Sequence, residues 1–131
     1  TWNHTKKMEL LSTLYEHMID ADFELKAFLM NIKVKNKELI DERASKFCEK
    51  YLELNSCLHK NELFLEQSLV DSVRDTYNPY FEIAMEAMDQ DFDYENFGEG
   101  LPDNFMEWSE VGDVPRKRVV KQFREAAGIN A

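Results

Sequence analysis

Leu11, Leu14, Met18, Ala21, Leu25, Phe28 and Ile32 follow one another at alternating steps of three and four, and every one is apolar. That spacing keeps one face of an α-helix dry, so it predicts a helix over 4–33. Leu10, Tyr15 and Leu29 widen the stripe into a face suited to a bundle rather than a two-stranded seam. A second unbroken stripe follows after Val34–Asn36: Ile40, Ala44, Phe47, Tyr51, Leu54 and Leu58. Asn36 is the expected N-cap of that helix. So short a connection makes the two helices antiparallel neighbours.

In the register that follows, Phe28 faces Ala44, Leu25 faces Phe47, Ala21 faces Tyr51, Met18 faces Leu54 and Leu14 faces Leu58. Both alanines meet a large aromatic, the volume compensation that a close-packed core needs. The same register brings Lys50 towards Asp22, where a boundary-exposed ion pair is expected.

His59-Lys60-Asn61 breaks the period. A third helix is expected over 62–76, with Leu63, Leu65, Leu69, Val70, Val73 and Tyr77 as core candidates. Asn78-Pro79 allows two outcomes: a new helix over 80–89, burying Phe81, Ala84, Met85 and Met88, or one long helix kinked at Pro79. Residues 90–114 lack a sustained period, and Gly98-Glu99-Gly100-Leu101-Pro102 is loop chemistry. Asp103 is a cap for a short helix carrying Phe105, Met106 and Trp108. A last helix is expected over 114–127, with Pro115 in its first turn, Val119, Val120, Phe123 and Ala127 on its apolar stripe, and Gly128 as its stop.

The expected fold class is therefore all-α. A long antiparallel hairpin is extended to a four- or five-helix bundle over 1–90. An acidic, aromatic-rich connecting segment spans 91–113, and a short basic C-terminal helix, 114–131, packs on the same domain.

Charge is segregated along this plan. The chain carries a net −10, with no lysine or arginine between Arg74 and Arg116. Residues 75–115 hold twelve acids, and five bases follow at Arg116, Lys117, Arg118, Lys121 and Arg124. An overall acidic surface argues against direct nucleic-acid binding, which needs a basic face. No apolar run is long enough for a membrane span, and no charged-then-apolar leader opens the chain, so membrane insertion is not expected. On one helix Cys48 and Cys57 stand roughly 13 Å apart, too far for a disulfide. Two unpaired thiols suit a reducing compartment, and a cytoplasmic location is expected.

Motifs for chemistry are weak. Asp89-x-Asp91-x-Asp93 resembles the start of a calcium loop, but Tyr94 stands where the loop needs Gly, and Gly100 where it needs a bidentate Glu. No Glu has a His three residues later, which removes the di-iron bundle pattern. Glu16, Asp20 and Glu24 form a ladder at four-residue steps that reads as a solvated face. Neither Cys48 nor Cys57 with His59 has an orienting third group. Four glycines form no phosphate-cradling loop. No catalytic residue, cofactor or metal ligand is assigned.

The remaining signal concerns partners. Phe92, Tyr94, Phe97, Phe105 and Trp108 alternate with acids, and such residues either wrap the bundle or anchor a groove ligand. Arg116 and Arg118 are the basic candidates for partner contact. The preferred arrangement docks the basic helix internally, against the acidic segment or the end of the fourth helix, where opposed charges and helix dipoles offset one another.

The leading expectation is a non-enzymatic helical interaction module with an unknown protein partner, and self-association is compatible with it. The alternatives are an acidic decoy imitating nucleic acid towards a DNA-binding protein, and a metal-dependent hydrolase using helix carboxylates.

Overall fold

The computed structural model of the protein describes residues 4–32, 34–93 and 105–129, the side chains of 105–115 excepted. The described residues are all-helical. Helix α1 spans His4–Ile32, α2 Lys37–Lys60, α3 Gln67–Ala87 and α4 Phe105–Ala126, with a 3-10 turn at Glu62–Phe64. Each helix packs on its chain neighbours, and α4 returns to α1, so the four close into a ring around one core.

The hairpin forms for the reasons its sequence supplies. All seven residues of the α1 stripe and all six of the α2 stripe are buried in the same core cluster. Asn36 caps α2, its side chain accepting from Leu39 N at 3.1 Å. The turn before it is tight: Lys35 takes the left-handed conformation (φ 58°), and its N–H bonds back to Ile32 O. Helix α3 runs antiparallel to α2. Tyr51 donates to Asn78 Oδ1, and Arg74 Nε to Asn55 Oδ1 at 3.1 Å.

Pro79 lies inside α3, so a single helix replaces the two that Asn78-Pro79 also allowed. This corrects the expected burial beyond it. An uninterrupted helix carries the phase of Val73 and Tyr77 onward, which buries Tyr80, Ala84 and Ala87 and leaves Met85 exposed. Phe81 and Met88 are half-buried against the core. Leu63 is a second correction. It falls in the 3-10 turn rather than a third helix and is 94% exposed, while Leu65 is buried.

Helix α4 begins at Phe105, upstream of the expected start at 114, and runs through Pro115, which is therefore interior rather than first-turn. Its end follows expectation. Gly128 takes a positive φ of 75°, and Ile129 N–H closes on Arg124 O at 2.8 Å.

Candidate functional site

Four residues, one from each helix, meet in the middle of the ring. Asp22 of α1 is 3% exposed, the one buried charged side chain among the described residues. Tyr77 of α3, fully buried, donates its hydroxyl to Asp22 Oδ1. Arg116 of α4 brings Nε to 2.9 Å from Asp22 Oδ2. That contact is held by charge rather than by an aligned N–H bond. Tyr51 of α2 lays its ring 5.9 Å from that of Tyr77. Burial raises the Tyr77 pKa far above its usual value, and the adjacent Asp22 carboxylate adds to the rise. The phenol therefore stays protonated and remains a donor.

This arrangement corrects the expected Asp22–Lys50 pair. Asp22 lies on the flank of α1 that faces α4, not on the flank that meets α2. Lys50 pairs instead with Glu53 on its own helix at 3.4 Å. Asp22, Tyr51 and Tyr77 are buried, and Arg116 is partly exposed at the edge of the network. Its chemistry is that of a lock. It fixes which helices meet and in what register, because a charge left alone there is costly.

The C-terminal half of α4 is seated by the same contact. Val119 is fully buried, Val120 and Phe123 are half-buried, and Ala127 is also partly covered. Arg118, exposed, donates to Ser68 O at 3.3 Å, and Gln122 to Glu66 Oε2 at 3.1 Å. The described contacts of the basic helix are thus with α1 and α3, its surface hydrogen bonds falling at the start of α3, and most of the acidic segment, the other expected partner, lies outside the described residues. Lys37 serves the end of α3, donating to Ala87 O and, at 3.0 Å, to Asp89 O. The dipole argument lapses because Arg116 is eleven positions into α4 rather than at its start.

Of the sequence-derived partner residues, the structure brings Arg116 into the core network and leaves Arg118 at the surface. Phe92 is half-buried, with the Lys37 ammonium 5.2 Å above its ring. Tyr94 and Phe97 lie outside the described residues. Phe105 and Trp108 sit on the upstream half of α4.

Three features escaped the sequence pattern. First, α1 exposes an outer apolar row: Tyr15, Ile19, Phe23 and Met30, the last two 68% and 62% exposed. Second, a cavity of about 310 Å³ opens between α1 and α4. Third, a shallow depression of about 580 Å³ brings His17, not His59, beside Cys57, together with Glu53 and Lys60. Burial raises the Cys57 thiol and pushes Cys48 up to about 11, so neither is an activated nucleophile. Among the described residues no three His, Cys, Asp or Glu side chains gather as a metal site. No helix among them is long and apolar enough to cross a membrane.

Compared with protein-family models, curated proteins and solved structures, the chain matches none.

Proposed function

We propose that this chain is a non-enzymatic helical interaction module that receives a partner helix along the outer row of α1. The carrying observation is that Phe23 and Met30, on one face of a helix whose opposite face is core, are both more than half exposed. Contiguous exposed apolar side chains mark contact surfaces, and rows at helical spacing suit an amphipathic helix. Ile19 and Tyr15 extend the row towards the N-terminus. Glu16 and Asp20, both exposed, flank it on the side away from α4. The partner helix therefore carries an apolar face with a basic edge. The upstream half of α4, with Phe105 and Trp108, runs towards the C-terminus of α1 along the other side of the row.

The test is affinity capture with the wild type and with a Phe23→Glu, Met30→Glu double variant. Both sites are surface positions, so circular dichroism should be unchanged. The wild type should retain a partner that the variant releases. Equal capture by both, or specific capture by neither, overturns the reading.

A further inference from the structure

Between the N-terminal half of α1 and the C-terminal half of α4 the two helices leave a cavity of about 310 Å³. Leu11, Val119, Val120, Phe123 and Ile129 form its apolar wall. Its remaining lining groups are two hydroxyls, Ser12 and Tyr15, and one charge, the Arg124 guanidinium. Among the described residues no carboxylate lines it.

Among the described residues Arg124 and Lys121 of α4 both lack an ion-pair partner, and of the two only Arg124 lines the cavity. Arg74, Arg116, Lys37, Lys46 and Lys50 each lie within ion-pair distance of an acid, and Arg118 holds a backbone carbonyl. Among the described residues the Arg124 side chain has no such partner, and the Ser12 and Tyr15 hydroxyls make no hydrogen bond. An apolar chamber with a few unengaged polar groups at its wall is the usual form of a small-molecule site. The sign of the one charge selects the ligand.

We infer that the α1–α4 cavity binds a small amphiphilic monocarboxylate, its aliphatic tail among Leu11, Val119, Val120, Phe123 and Ile129 and its carboxylate on Arg124. A guanidinium presents parallel donors that match both carboxylate oxygens, and the two hydroxyls supply further donors. The tail covers the exposed surface of Val120, Phe123 and Ile129, while Leu11 and Val119, already fully buried, form the floor.

Octanoate is the probe, with octanol and octylamine as head-group controls. Binding is followed by amide chemical shifts of the isotope-labelled full chain. Octanoate should bind saturably, with shifts concentrated in 11–15 and 119–129. It should bind at least about tenfold more tightly than octanol, the size expected of a charge-assisted head-group contact. Arg124→Gln should remove that preference while leaving octanol binding unchanged. Ser12→Trp, at an exposed position on the wall, should block all three probes without altering the circular dichroism. Octylamine or octanol binding as well as octanoate would overturn the inference, as would unsaturable binding or shifts spread along the outer row of α1. An octanoate preference that survives Arg124→Gln would do the same.

Discussion

Asp22 and Tyr77, 55 positions apart in the chain, share a hydrogen bond in the centre of the molecule, and the carboxylate's second oxygen faces Arg116 from a third helix. The acid is thus the joint between the N-terminal hairpin and everything that follows. Asp22→Ala leaves a partly exposed cation and a buried phenol without their partner, and should destabilise the protein by about 3 kcal/mol. Arg116→Met takes the cation from a carboxylate that is only 3% exposed, and should cost a comparable amount even though Tyr77 still donates to it. The double variant should cost less than the sum, with a coupling of about 1–3 kcal/mol. Urea denaturation of the four proteins measures this. Additive costs would mean that the pair does not interact.

Alkaline pH should weaken the fold in two stages. The Cys48, Cys57, Tyr51 and Tyr77 pKa values are all raised in the folded state, burial being the first cause for each. The unfolded chain therefore releases these protons first as pH rises. Their contribution is intact below about pH 8.5, where unfolded thiols begin to ionise, and declines above it. The loss steepens above about pH 10, when the tyrosines join at about 1.4 kcal/mol per pH unit for each group. Tyr77→Phe should lower stability at neutral pH yet flatten the decline above pH 10. An unchanged slope would count against a buried, proton-retaining phenol.

The α1–α2 turn offers two changes of opposite sign. Lys35 holds a left-handed conformation that disfavours any side chain with a Cβ. Lys35→Gly should stabilise by up to about 1 kcal/mol, reduced by the greater freedom of glycine in the unfolded chain. Asn36→Ala removes the cap on Leu39 N–H and should destabilise by about 1 kcal/mol. Thermal denaturation separates the two, and a stabilising Asn36→Ala would contradict the capping geometry.

These residues also mark how far the sequence could be read. The stripes of α1 and α2, the Asn36 cap and the Gly128 stop rest on local periodicity and local backbone needs, which a sequence carries openly. Leu63 and Met85 were misplaced because their faces depend on a break after Lys60 and on the unbroken phase through Pro79. Proline alone does not decide whether a helix restarts or continues. Asp22 was expected in an ion pair, but at the boundary and with Lys50, although a signal for its burial existed. Leu11, Tyr15, Met18, Asp22, Leu25, Leu29 and Ile32 form a second alternating row, and an acid in such a row requires a buried partner. Its partners lie far along the chain, and no spacing rule reaches them. The α1–α4 cavity depends on how two distant helices seat together, so it has no sequence signature at all.

The basic cluster of α4 gives the sharpest separation between a lock and an ionic tail. Arg116 reaches a buried acid, whereas Lys117 and Arg118 are exposed. Arg116→Glu places two carboxylates together beside a fully buried Val119, and should cost about 3–5 kcal/mol and release the C-terminal half of α4. The pair Lys117→Glu, Arg118→Glu should cost less than about 1 kcal/mol, as surface charges do. In the wild type, amide hydrogen exchange over 116–127 should be slow. It should stay slow when salt rises from about 0.1 M to about 1 M, which shortens the screening length from roughly 10 to 3 Å but scarcely reaches a desolvated pair. Exchange at the rate of an unstructured tail in the wild type would refute the docked helix. Equal loosening by the surface pair and by Arg116→Glu would show instead that the contact is ionic and peripheral, and would return Arg116 and Arg118 to the role of partner-binding residues.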